Sequence, residues 1–220
     1  MVYRLYGVQD FANLAVHCAL EECGAPYEAV FLDMEAGDLK SPAHLARHPL
    51  GLVPALDTPD GTMFETGAIL LYLGERHGLA PSPETAERAA FLSWLFFTST
   101  NIHTTLLQLF YPDRSAGEAC VPAVQSHARA RMALYLQNLD RAATGNPDWL
   151  PNDRPSILGY YIAMLLHWLG QFGADHPLQV NCADYPALHK VLVMLEAQHA
   201  TQIIAEDEGL GPTPFTAPLA

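Results

Sequence analysis

The chain has 220 residues, half of them hydrophobic, with 11 basic against 24 acidic residues and a net charge of −13. That balance offers no basic stripe to follow a phosphate backbone and disfavours anionic lipid surfaces, so neither nucleic acid nor a membrane is an expected partner. No apolar run reaches the roughly 18 residues of a membrane helix, and the opening "MVYRLYGVQDF" lacks the apolar stretch of a signal peptide. A soluble, cytoplasmic protein is the expectation.

"YRLYGV" (3–8) alternates and carries aromatic residues, which predicts a strand. "NLAVHCALEECG" (13–24) has apolar residues at helical spacing and stops at Gly24. "YEAVFLDM" (27–34) reads as a second strand and "SPAHLARH" (41–48) as a short helix with Ser41 as its cap and Pro42 in its first turn. "VPALD", "TPDG" and "TMFE" give strand, turn and strand, and "TGAILLYLGERHG" (66–78) a further helix. The order β-α-β-α-β-β-α implies one right-handed parallel crossover and one antiparallel hairpin, hence a small mixed sheet with helices on both sides.

A Pro-containing linker, "LAPSPETAERA" (79–89), follows. Beyond it only helix signals occur, over 84–110 (with a kink near "STN"), 118–144, 156–171 and 186–207. Ser156 starts a buried helix whose third position, Gly159, lacks the acidic or amide group of a capping box, an expected loss of roughly 0.5–2 kcal/mol of capping stability. The tail "GLGPTPFTAPLA" (209–220) is too rich in Gly and Pro for regular structure; it is expected to be disordered or, alternatively, to lay Phe215 over a cleft between the two parts. The fold expected is an α/β domain over 1–78, an all-α domain over 87–207 and a Pro/Gly-rich tail over 208–220.

Cys18, Cys23, Cys120 and Cys182 show no metal-type spacing and read as reduced, structural residues. His44 and His48 stand at i, i+4, but the glutamate of a metal-binding H-E-x-x-H helix is absent, and no metal is expected.

Pro54 interrupts the strand-like "HPLGLVPALD" (48–57). Proline cannot donate a ladder hydrogen bond. A cis Val53–Pro54 bond, a form taken by only about 5–6% of X–Pro bonds, turns the preceding backbone outward. Val53 then offers its N–H and C=O to an extended peptide. A trans proline opening an edge strand is the alternative. In "GTMFETGAIL", Glu65 and Thr66 stand where a strand meets a helix. Unpaired N–H groups of a first helical turn attract an anion, and Glu65 can pair with an ammonium, so the junction suits the head group of an α-amino acid. Thr66 acting only as the helix cap is the alternative there.

These residues carry a resemblance. "HPLGLVPALDTPDGTMFETGAILLYLGERHG" (48–78), supported by "NIHTTLLQLFYPDR" (101–114), "DRPSILGYYIAMLL" (153–166) and "DYPALHKVLVMLEA" (184–197), is similar to the glutathione S-transferase family. The resemblance implies a thioredoxin-like N-terminal domain with a cis-proline, a C-terminal helical bundle and a homodimer. It also implies glutathione as co-substrate, with Val53 and Pro54 facing its cysteinyl backbone and Glu65 and Thr66 its γ-glutamyl end. Two positions depart from the family pattern. His48 stands where the family often has Asn, and Leu52 where a Lys or Gln would hold the glycyl carboxylate, a role His48 takes in part.

Conjugation needs a thiolate, and a free thiol has a pKa near about 8.5. The family supplies a Tyr, Ser or Cys donor in the first strand or the loop after it. Loop 7–13 here has none of these residues; its polar side chains are Gln9, Asp10 and Asn13. Asn13 is the first candidate to assist the thiol, or else the cap of the following helix. Tyr6 is the second and the backbone N–H groups of Phe11 to Asn13 the third, with Phe11 excluding water from the sulfur. His103, Phe110 and Tyr111 fall where the family's second substrate, a small hydrophobic electrophile, lies; plain core packing is the alternative for each. The expected activity is glutathione transfer to such an electrophile. Glutathione-dependent thiol–disulfide exchange and a non-catalytic binding or scaffolding role on the same fold are the alternatives.

Overall fold

The computed structural model of the chain describes residues 2–172 and 176–219. Four strands, β1 (Tyr3–Gly7), β2 (Tyr27–Phe31), β3 (Ala55–Thr58) and β4 (Gly61–Phe64), form one sheet in the order β2-β1-β3-β4. β1 runs parallel to β2 and antiparallel to β3, and β3 pairs antiparallel with β4. The crossover from β1 to β2 is α1 (Leu14–Glu22), and α2 (Pro42–Leu45) and α3 (Thr66–His77) complete this half. Ser41 caps α2, its hydroxyl accepting from the His44 N–H at 3.2 Å. A mixed sheet covered in this way is the thioredoxin-like arrangement the resemblance implies.

Pro54 sits immediately before β3, whose ladder begins with Ala55 opposite Tyr6. Its missing N–H therefore costs no sheet hydrogen bond. The Val53–Pro54 peptide bond is cis. The period-2 alternation of β1 sends Tyr3 and Leu5 into the main core and Tyr6 to the opposite face. There Arg47 lies 4.0 Å from the Tyr6 ring centre and the phenol donates to Asp57 Oδ2 at 3.1 Å.

The second half is helical: α4 (Arg88–Phe97), α5 (Thr104–Phe110), α6 (Asp113–Ala116), α7 (Val121–Ala143), α8 (Ile157–Gly170), α9 (Pro186–Glu196) and α10 (His199–Asp207). The expected kink near "STN" is a widened π-helical turn, Thr98–His103, joining α4 to α5. α8 is apolar all round and buried from Ile157 to Leu169, the pattern of a central helix. Ser156 caps it by accepting from the Gly159 N–H at 3.1 Å. A Cβ on Gly159 would stand 3.3 Å from Leu195 Cδ1 and 3.4 Å from Val191 Cγ1. The missing side chain thus serves the close approach of α9, and a capping acid has no room.

Three expectations need correction. Residues 84–87 form turns, so the helix starts at Arg88 rather than 84. The expected helix 186–207 is two helices, because Gln198 adopts extended backbone (φ −72°, ψ 139°) although no Gly or Pro interrupts the sequence. The tail is neither disordered nor a lid. Glu196, at the end of α9, accepts from the Phe215 and Thr216 N–H groups at 2.7 and 2.6 Å and from the Thr216 hydroxyl at 2.7 Å. Phe215 is buried and lines a separate cavity behind α8, beside Leu166 and Cys182. No described helix is long and apolar enough to cross a membrane.

Candidate active site

The sheet half and the helical half enclose a cleft of about 520 Å³. One wall is built by the segment before β3, by the β4–α3 junction and by the loop after β1. The other comes from the π-helical turn, α5 and α8. The cleft brings together His48, Leu52, Val53, Pro54, Glu65, Thr66, Phe11, His103, Phe110 and Tyr111. It leaves out Asn13 and Tyr6.

Val53 makes no backbone hydrogen bond among the described residues, so both its N–H and its C=O are open to an extended ligand. Glu65, not Thr66, occupies the cap position of α3, which corrects the capping alternative. Its φ of 74° is strained for a residue with a side chain, a feature that clusters at ligand sites. Its carboxylate accepts no hydrogen bond from the described residues, and Thr66 opens the helix beside it. The unpaired N–H groups of that first turn therefore lie next to a free carboxylate.

His48 packs its ring 5.1 Å from that of Phe64, and its Nδ1 accepts from the Leu50 N–H at 3.3 Å. Burial lowers its pKa, against the opposing pull of Glu65, so the ring is neutral near pH 7 and carries its proton on Nε2. It is thereby a donor. Leu52 is exposed, and its carbonyl accepts from His44 Nε2 at 2.9 Å. His44 and His48 thus have separate partners. Among the described residues no group of three or more His, Cys, Asp or Glu side chains has the geometry to hold a metal ion.

The loop after β1 differs most from expectation. Asn13 is fully buried, accepts the Val8 N–H at 3.0 Å through Oδ1, and donates from Nδ2 to Glu208 Oε1 at 3.5 Å. Its side chain neither caps α1 nor reaches the cleft; it ties the loop to the end of β1. Tyr6 lies across the sheet. Asp10 enters the cleft instead, with a left-handed φ of 57°. Its carboxylate accepts from His167 Nε2 and Trp168 Nε1, both at 2.9 Å, and from Gln171 Nε2 at 2.7 Å. Burial opposes its ionisation, but the hydrogen bonds from His167, Gln171 and Trp168 and the charge attraction of His167 outweigh it and hold Asp10 below the usual carboxylate range. The Asp10 N–H donates to Glu208 Oε2 at 2.8 Å, and Glu208 Oε1 lies 2.7 Å from His17 Nδ1. Residues far along the chain therefore fix the loop's shape, leaving the Ala12 and Asn13 N–H groups without a partner among the described residues, at the start of α1.

His103 ends the π-helical turn. Its Nδ1 lies 2.9 Å from the Tyr161 hydroxyl, and burial pushes its pKa down to about 4, so it is neutral at pH 7. Tyr161, Trp168, Gln171 and Arg114 are cleft residues that sequence reasoning did not single out. The signal available was the spacing His167–Gln171 on an otherwise apolar helix. None of the four cysteines lines the cleft.

Comparison with known proteins shows what the chain is similar to. Residues 1–75 match the family model "Glutathione S-transferase, N-terminal domain". The chain is 33% identical over 189 residues to the disulfide-bond oxidoreductase YfcG of Escherichia coli K12, covering 83% of this chain and 84% of that one. It is 32% identical over 171 residues to the glutathione S-transferase GstA of Escherichia coli O157:H7, covering 75% and 81%. A sphingomonad glutathione S-transferase solved in complex with glutathione superposes with a TM-score of 0.75 at 28% identity, over 94% of this chain and all of the other. With a cleft built on a thioredoxin-like sheet, and relatives that span most of its length, the chain belongs to the glutathione S-transferase family.

Proposed function

We propose that the cleft binds glutathione and transfers it to a small hydrophobic electrophile. The observation that carries this reading is the pairing, in one cleft, of an unpartnered Val53 backbone with an unpartnered Glu65 carboxylate at a helix N-terminus. The γ-glutamyl ammonium pairs with Glu65, and its carboxylate takes the first-turn N–H groups of α3 beside Thr66. The cysteinyl backbone pairs with Val53 in the manner of an added strand. His48 Nε2–H donates to the glycyl carboxylate.

This pose turns the sulfur toward Phe11 and Ala12. Thiolate stabilisation falls to the N–H groups of Ala12 and Asn13 at the start of α1, since neither the Asn13 amide nor the Tyr6 phenol reaches the cleft. Neutral His103 faces the same space. Sulfur then attacks the electrophilic carbon: the C–S bond forms, the bond to the leaving group breaks, and the leaving group departs with the electron pair. Leu106, Leu107, Phe110, Tyr111 and Trp168 supply the apolar wall for that second substrate.

Thiol–disulfide exchange is the second reading, favoured by the YfcG relative's name. With no cysteine at the cleft, the thiolate in such an exchange is that of bound glutathione. It attacks a disulfide substrate, a mixed disulfide forms, the substrate S–S bond breaks and one thiolate leaves. A second glutathione thiolate then displaces the other as oxidised glutathione forms. Exposed Phe64 and Phe96 support a homodimer, and four unpaired cysteines support a reducing, cytoplasmic location. Calorimetry with glutathione, followed by conjugation of 1-chloro-2,4-dinitrobenzene, tests the reading. Binding that weakens at least about tenfold in Glu65→Gln, the loss of one charge-assisted pair, is expected. Unchanged affinity in that variant overturns the head-group assignment, and binding without turnover favours the scaffolding role.

A further inference from the structure

The charges lining the cleft are unevenly placed. Asp10 and Glu65 are its carboxylates and Arg114 its one permanent cation among the described residues. The Asp10 carboxylate is filled by α8, and Glu65 is committed to an ammonium in the reading above. Arg114 remains. Its guanidinium carbon stacks 3.9 Å from the centre of the Tyr111 ring. No carboxylate among the described residues lies within ion-pair distance of it, whereas Arg4, Arg47, Arg76, Arg88 and Arg154 each hold an Asp or Glu. Arg129, Arg131 and Arg141 also lack a carboxylate partner among the described residues, but none of them lines the cleft; Arg114 is set apart by its place there.

A stacked guanidinium keeps its edge free, and its N–H fork matches a carboxylate. Leu107, Phe110 and Trp168 line the same cleft as Arg114, a wall suited to a flat aromatic body. The overall charge of −13 repels anions, so an acidic substrate needs such a local cation to enter. We propose that Arg114 is a specificity-determining residue and that the second substrate class is an aromatic electrophile bearing a carboxylate at the end away from the reacting carbon. The inference rests on the transferase reading and narrows its substrate class.

The probe pair is 4-chloro-3-nitrobenzoate and its neutral isostere 4-chloro-3-nitrobenzamide. In both, the glutathione sulfur bonds to the ring carbon bearing chlorine, chloride leaves with the bonding pair, and the thiol proton passes to buffer. Intrinsic reactivities of acid and amide differ, so the decisive quantity is the variant-to-wild-type ratio for each. Arg114→Gln is expected to lower kcat/KM about threefold to fivefold for the acid, the upper range for an exposed ion pair. The amide should change less than about twofold, and Arg114→Lys should recover part of the loss. Equal changes for acid and amide, or none for either, overturn the inference. Calorimetric binding of the two finished glutathione conjugates to wild type and Arg114→Gln gives a second readout. Absence of turnover on both substrates counts against the transferase reading, while the conjugate affinities still decide whether Arg114 selects the carboxylate.

Discussion

Replacing Asp10 by Ala removes the acceptor that α8 converges on. Trp168 Nε1 keeps a partner, since it also reaches the Asp10 carbonyl at 3.1 Å. His167 Nε2 and Gln171 Nε2 lose the carboxylate, although the two still face each other at 3.1 Å, so one donor rather than two is left unmet. Each buried donor left unmet costs about 1–3 kcal/mol. The Asp10 side chain is 31% exposed, so water recovers part of that, and alanine at a left-handed φ adds roughly 1–2 kcal/mol. A net loss of about 2–3 kcal/mol corresponds to a fall in Tm of about 5–10 °C for a chain of this size. Asp10→Asn retains the tolerance for left-handed backbone and isolates the charge, so about half the fall is expected. Because the folded-state pKa of Asp10 lies below its unfolded value, its charge stabilises fully above the ordinary carboxylate pKa of about 3.9 and loses this effect as pH falls through the lower folded value. Thermal melts followed by circular dichroism at pH 7.5 and pH 3.5 should show a wide wild-type-to-variant gap at the first and a narrower one at the second. A Tm for Asp10→Ala unchanged at pH 7.5, or a gap equal at both pH values, would refute the account of the loop.

Two further outcomes follow from burial and packing. His103, held neutral with a pKa of about 4 against about 6.5 unfolded, penalises the folded state as the unfolded chain takes up a proton, so stability should decline from pH 6.5 toward pH 4. The full effect is about 3 kcal/mol, and His103→Gln should flatten that part of a stability–pH curve measured by urea unfolding; an unaltered slope rejects the assignment. Gly159→Ala should cost about 1–3 kcal/mol by overpacking against Leu195 and Val191, although alanine has the better helix propensity. A raised urea midpoint would show that α9 shifts freely.

The sheet half was legible because its signals are backbone signals. Pro54, the TPDG turn and the glycines that close α1 and α3 act locally, and the structure places strands and helices where they point. Val53, Glu65 and Thr66 lie in one cleft for the same reason. Tyr6 could have been excluded from the alternation of β1 alone, since Leu5 faces the core. Asn13 could not, because its orientation depends on Glu208, 195 residues away. The break between α9 and α10 carries no local signal, and it falls beside Glu196, whose carboxylate binds the tail. The tail's ordering was equally hidden: composition spoke for disorder, while two backbone N–H groups found a carboxylate.

His17 and Glu208 have side chains that are 2% and 0% exposed, one on the first helix and the other just beyond the last. Neither group has another ionic partner among the described residues, so each half carries a polar residue that only the other half can accommodate. Swapping the helical half for that of a relative without a matching acid would bury an orphaned imidazole and release the Asp10 N–H at once. The two halves behave as a lock and its fitted key, inherited together, and functional chimeras at the linker should require the 17/208 pair to travel as a unit.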